Sequence, residues 1–181
     1  MARLIYSANI SLDGYINDAD GNFDWAEPSD DVHKFFNDLE RPIGTHIYGR
    51  GLYETMVAWE TMPPTSPVMD DYASVWRDSD KVVFSRTLQD VASSRTTLRR
   101  EFSPEFVADL KLASSQDITI GGPTLAARAI DLVDDIHAVL YPVTVGGGTR
   151  FWPEGASGRF ALADSRVFGS GVVHLHYRRE S

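Results

Sequence analysis

The sequence predicts an α/β protein whose sheet is mainly parallel with an antiparallel edge, and three observations carry that prediction. Short apolar runs of strand character alternate with segments of helical period. Several of those strands stop at a glycine corner and restart as a helix, as at Gly49-Arg50-Gly51 and Gly121-Gly122. The tail from Arg166 to Arg178 reads as two strands joined at Gly169-Ser170-Gly171, which supplies the antiparallel edge.

Taken in order, Arg3 to Ile10 reads as the first strand, ended by Ser11-Leu12-Asp13-Gly14. Tyr15 to Pro28 mixes Asp, Asn and Gly with Phe23 and Trp25, the composition of an ordered loop over a pocket. Ser29 suits a helix cap, with Asp30 and Asp31 complementing the N-terminal dipole and Val32, Phe35, Phe36 and Leu39 at helical spacing. Thr45 to Tyr48 is a strand, followed after the Gly49-Arg50-Gly51 corner by a helix holding Tyr53 and Met56.

Met62 to Pro67 reads as a Pro-rich loop and Asp70 to Trp76 as a short helix. Lys81 to Phe84 is a strand ending at Ser85-Arg86-Thr87, and Ser103-Pro104-Glu105 opens a helix with a Ser cap and Pro at its first position. Asp117 to Ile120 is a strand running into Gly121-Gly122. Pro123 then starts a helix with Leu125, Ala126, Ala129 and Ile130 on one stripe. Ile136 to Val143 is a long apolar strand closed by Pro142 and Gly146-Gly147-Gly148. With 181 residues and no internal repeat, one domain over 1–181 is expected.

Bulk composition narrows the function. A net charge of −9 argues against a nucleic-acid-binding surface, which needs clustered Lys and Arg. With no cysteine, disulfides, thiolate metal sites and a Cys nucleophile are excluded. His174 and His176 could share a strand face. Without a third ligand in view, a core or edge-strand role fits them better than metal binding, and no metal is expected. No signal-peptide pattern and no run near the roughly 20 apolar residues of a membrane span are present, so a cytoplasmic protein is expected.

Three strand ends share a chemistry. Glycine pairs at a strand-to-helix turn let a ligand approach the backbone, and they aim free N–H groups at it. Two such corners suit a pyrophosphate, while Ser85-Arg86-Thr87 suits an extra phosphate. Ligands of open α/β sheets gather at the carboxyl ends of strands. Each feature alone also fits a packing turn or a surface arginine, and their joint occurrence is what points to a dinucleotide.

The motifs Ser11-Leu12-Asp13-Gly14-Tyr15-Ile16, Ile47-Tyr48-Gly49-Arg50 with Tyr53-Glu54-Thr55-Met56, Val82 to Thr87, Ile120 to Leu125 and Leu140 to Phe151 follow one another along nearly the whole chain. In this order they resemble the dihydrofolate reductase-like superfamily. The resemblance is closest to small proteins related to the reductase domain of the bifunctional riboflavin-biosynthesis deaminase-reductase.

That resemblance implies a three-layer α/β/α fold binding NADPH across the strand ends. Gly49 and Arg50 would approach its phosphates, with Ser85, Arg86 and Thr87 near the adenosine side. Gly121, Gly122, Pro123, Thr124 and Leu125 would hold the pyrophosphate. Ala8 and Ile10 would lie beside the nicotinamide, under a loop from Asp13 to Trp25.

Candidate proton donors are Asp13, which also fits a turn-forming role before Gly14, and Asp30, which also fits an acidic first turn. Trp25 is a candidate for stacking on a flat substrate and Arg150 for a substrate phosphate. The resemblance implies a reductase of the 5-amino-6-(5-phosphoribosylamino)uracil type and a homodimer. The alternatives are dihydrofolate reduction, which Glu27-Pro28 in place of Leu-Pro disfavours, and a non-catalytic NADP(H)-binding module.

Overall fold

Eight strands form one sheet in the computed structural model, which describes residues 1–180. They are β1 (Leu4–Ser11), β2 (Ile43–Gly49), β3 (Asp80–Phe84), β4 (Thr96–Arg99), β5 (Asp117–Gly121), β6 (Asp135–Tyr141), β7 (Phe160–Val167) and β8 (Val173–Arg179). The spatial order is β4-β3-β2-β5-β1-β6-β8-β7. The first six strands in that order are parallel, and β8 and β7 add antiparallel. This is the mixed, mainly parallel sheet with a C-terminal hairpin that the alternation and the tail predict.

The helices are α1 (Asp30–Glu40), α2 (Arg50–Met56), α3 (Ala58–Thr61), α4 (Pro67–Asp78), α5 (Pro104–Ala113) and α6 (Pro123–Ala126). Strand alternation sorts the two faces of the sheet. Leu4, Tyr6, Ile47, Ile118 and Ile120 pack against Val107 of α5 and Leu125 and Ala126 of α6. On the other face Val139 and Tyr141 meet Val32 of α1, while Tyr48 and Val83 meet Trp76 of α4. Three layers result. No helix among the described residues is long and apolar enough to cross a membrane.

Local details depart from expectation at four places. The cap expected from Ser29 is not made: its hydroxyl donates to Asp31 Oδ1 at 2.6 Å instead of accepting from the helix. Ser103 does cap its helix, accepting from Phe106 N at 3.1 Å, and Ser66 caps α4 in the same way. The helix after Gly122 is one α-turn, continued as a 3-10 segment over Ala127–Leu132 with a non-helical Ala129. So short a helix contributes much less dipole than a full one, leaving the backbone itself as the feature of that corner. Finally, β4 and the first half of β7 carry no strand signature. Both are edge strands with little apolar alternation, and β7 is exposed along nearly its whole length.

Candidate active site

Strand order brings the three predicted strand ends together. β2 lies between β3 and β5, and their registers pair Gly49 with Phe84 and Tyr48 with Gly121. The corners at Gly49-Arg50, Ser85 to Thr87 and Gly121-Gly122 therefore stand side by side at one edge of the parallel sheet. Arg50 Nη1 donates to Thr87 Oγ1 at 3.0 Å, tying the ends of β2 and β3 together, and Arg50 Nε pairs with Glu54 at 2.7 Å. The Ser85 hydroxyl accepts from Thr87 N and Leu88 N, so it shapes the turn. Arg86 is exposed beside it. Arg100, just past the end of β4, donates to Ser85 O and Leu88 O and adds a cation here.

The backbone at these corners fits a dinucleotide phosphate. Gly122 has φ +85° and open space where a Cβ would stand, and Gly49 is likewise open. Only a residue without a Cβ combines that conformation with that access. Gly121 has a different reason: a Cβ there would meet Leu52 Cδ2. Pro123 is half-buried, Thr124 exposed and Leu125 buried in the core beneath.

Next to Gly121 opens a cavity of about 570 Å³. β1 lends it Ser7, Ala8 and Asn9, the loop before α1 lends Phe23, Asp24, Glu27 and Pro28, and α1 presents His33, Phe36 and Glu40. Their spacing of three and four residues puts these last three on one helix face. Tyr48, Met56, Trp59 and Tyr72 complete an aromatic and apolar wall.

Its floor is polar. His46 and Thr119 pair in register across β2 and β5, and the Thr119 hydroxyl lies 2.9 Å from His46 Nδ1. Glu40 Oε2 lies 3.6 Å from the same nitrogen. Burial raises the Glu40 carboxyl to about 7. Burial, with help from the nearby Lys81 charge, lowers His46 to about 3. Between those values both groups are neutral, so the contact is not an ion pair. His46 Nε2 and Asn9 Oδ1 are buried without hydrogen-bond partners.

The residues proposed for catalysis from sequence lie elsewhere. Asp13 is tied to the far loop: its carboxylate accepts from Gly146 N at 2.7 Å and from Val145 N at 3.2 Å. The Ser11 hydroxyl and these amides hold Asp13 below its ordinary value. Asp30 is exposed in the first turn of α1, at the opposite end of the helix from Glu40.

Neither Asp13 nor Asp30 lines the cavity. Trp25 packs edge-on against Tyr141 and donates to Asn22 O, whereas its neighbours Asp24 and Ala26 do line it. Arg150 is exposed over the Tyr15 ring, 5.2 Å from its centroid. Ala8 lines the cavity; Ile10 is buried in the core instead.

Sequence reading missed Glu40, His46 and Thr119. A glutamate in the last turn of a helix reads as solvated, and lone His and Thr residues in strands read as packing. The one available signal was parity, since His46 and Tyr48 stand two apart in a strand and so share a face.

The His174–His176 pair is also accounted for. His174 Nε2 contacts His137 Nδ1 at 2.9 Å, and His176 Nε2 contacts Asp135 Oδ1 at 2.5 Å. Among the described residues no group of three or more His, Cys, Asp and Glu side chains is arranged to hold a metal ion.

Comparison with known proteins matches residues 2–174 to the RibD C-terminal domain family. Solved structures similar to this chain include a provisionally named riboflavin biosynthesis protein from Shewanella sp. PV-4, with a TM-score of 0.77 and 23% identity over 100% of both chains. A deaminase/5-amino-6-(5-phosphoribosylamino)uracil reductase from Thermotoga maritima superposes with a TM-score of 0.70 at 10% identity. The match covers 99% of this chain and 57% of that one. Dihydrofolate reductase from Enterococcus faecalis, complexed with NADP(H), gives a TM-score of 0.66 at 16% identity, covering 99% of this chain and 97% of that one. These likenesses establish the dihydrofolate reductase-like fold.

Proposed function

The chain belongs to the RibD C-terminal domain family, and on that premise we propose that it is an NADPH-dependent reductase that delivers a hydride to a small heterocyclic or carbonyl substrate. The observation that carries this reading is the adjacency of the three strand ends at Gly49, Ser85 and Gly121, next to a cavity that Ala8 and Gly121 themselves line. Gly49, Gly121 and Gly122 would admit the phosphates, Arg50 and Thr87 would brace them, and Arg86 would meet the 2′-phosphate. When bound, the cofactor supplies the hydride.

The chain's own contribution is placement and exclusion of water. Phe36, Tyr48, Trp59 and Tyr72 wall off the cavity, and Ala8 leaves room at its edge for a flat ring. Of the carboxyl groups lining the cavity, Glu40 is the deeply buried one, and its raised value keeps a proton available near neutral pH. Within this class, the pyrimidine reduction of riboflavin biosynthesis is the first activity to assay, on 5-amino-6-(5-phosphoribosylamino)uracil and on its unphosphorylated nucleoside side by side. We also propose a homodimer, with the exposed β7 edge as the surface to pair; light scattering of the purified protein tests it.

Titration of NADPH fluorescence tests the core of the proposal. Enhancement or quenching with saturable affinity, weaker for NADH, is expected. No response would remove the cofactor reading, and binding without turnover of any pyrimidine, pterin or quinone would favour a non-catalytic module.

A further inference from the structure

The chemistry of the cavity lining says more about the substrate than the family does. Among the described residues that line it there is no lysine and no arginine, while Asp24, Glu27 and Glu40 all do. The nearby cations are engaged elsewhere. Lys81, in register with His46 on β3, donates to Trp76 O and Ser79 O at 3.0 Å each and sits over the Trp76 ring. Arg150 lies over Tyr15, and Arg41 pairs with Asp71. Arg50 and Arg86 stand at the strand ends assigned above to the cofactor.

A phosphate placed in this cavity would lose water, meet no lysine or arginine and face carboxylates. Each of those effects opposes binding in a region of reduced dielectric. The floor, by contrast, offers hydrogen bonds. His46 Nε2 and Asn9 Oδ1 are buried and unpartnered, and groups left that way are costly unless a ligand completes them. The aromatic walls favour a flat ring over a flexible chain.

We propose that the floor formed by Asn9, Glu40, His46 and Thr119 recognises an unphosphorylated planar ring carrying both hydrogen-bond donors and acceptors, neutral or cationic, and that the cavity discriminates against its phosphate ester. The proposal rests on the reductase reading for the identity of the cavity as the substrate site. Neutral His46 cannot serve as a phosphate-binding cation. Glu40 is faced by His46 and Tyr48 from β2 and by Tyr72 from α4, with Lys81 beyond His46. Below its value of about 7 it offers the ring a proton, and above it an acceptor.

The test uses a matched pair of probes, 5-amino-6-(ribosylamino)uracil and its 5′-phosphate, titrated calorimetrically into the full protein with and without NADPH. NADPH binding is measured separately, so that a failed cofactor reading is distinguished from a failed floor. The nucleoside is expected to bind at least tenfold more tightly than the ester. Equal or tighter binding of the ester overturns the proposal, as does failure of both compounds to bind a protein that binds NADPH. His46→Phe should lose at least tenfold in nucleoside affinity with NADPH affinity unchanged. Should that variant not fold, Glu40→Gln gives a second reading: a flattened pH dependence of nucleoside affinity between pH 6 and 8. Unchanged pH dependence in Glu40→Gln counts against Glu40 as part of the floor.

Discussion

Glu40 and His46 meet 3.6 Å apart beneath the cavity, and burial pushes their proton affinities in opposite directions. Glu40 rises from 4.5 to about 7, and His46 falls from 6.5 to about 3. Two neutral groups replace the ion pair that their names suggest.

Opposite stability slopes are expected from this pair. Between pH 4.5 and 7 the folded protein holds a proton on Glu40 that the unfolded chain has released, so this group's contribution is full below 4.5 and is lost as pH rises through about 7. The loss is at most about 3 kcal/mol. His46 acts the other way: the unfolded chain takes up its proton first, so stability falls as pH drops from 6.5 toward 3. His137, lowered to about 3, and His174, lowered to about 4, add to that acid-side loss, again mainly through burial. Urea titrations of Glu40→Gln at pH 5 and pH 7.5 check this. The variant should gain on wild type as pH rises, and parallel curves would show that Glu40 does not titrate in this range.

Gly122→Ala should weaken NADPH binding at least tenfold, because φ +85° with ψ 126° strains a residue bearing a Cβ and the methyl would occupy the open face. The strain, roughly 1–3 kcal/mol, should also lower Tm by several degrees. Full NADPH affinity in the folded variant would displace the phosphates from this corner.

Gly121→Val acts by another route. Its side chain would collide with Leu52, which itself lines the cavity, so both cofactor and ring binding should fall. Loss of NADPH binding alone would indicate that Leu52 moves aside without entering the cavity.

Arg86→Ala should cost NADPH at least tenfold in affinity and leave NADH nearly unchanged, since the guanidinium is assigned to the 2′-phosphate alone. Arg50→Ala should weaken both nucleotides, and it also removes the contact to Thr87 that joins the ends of β2 and β3. Equal losses of the two nucleotides in Arg86→Ala would refute the assignment.

Asp13→Ala should speed hydrogen exchange at Val145 and Gly146, whose amides its carboxylate accepts. Substrate KM is expected to rise more than kcat falls, as a loosened loop would require. A fall in kcat with unchanged exchange would instead place this carboxylate in the chemistry.

What the sequence by itself determined was local. A glycine pair after an apolar run marks a strand end, Ser-Pro-Glu at Ser103 marks a helix start, and Gly169-Ser170-Gly171 marks a hairpin, because each preference acts over a few residues. The right motifs in the right order then sufficed for the fold and for the run of strand ends at Gly49, Ser85 and Gly121. The Ser29 cap failed because Asp31 Oδ1 accepts the Val32 amide that a cap would take, and the Ser29 hydroxyl donates to that same oxygen.

Only the tertiary structure decided the cavity and its polar floor. His46 and Thr119 are 73 residues apart and meet because β2 and β5 pair in parallel. Glu40 stands at the end of a helix, where sequence reads it as solvated, and it is buried because α1 lies with that end over the sheet. Asp13 and Asp30, the carboxylates that motif position favoured, lie outside the cavity for the converse reason. Burial and long-range register are properties of the packed sheet, and no short run of residues encodes them.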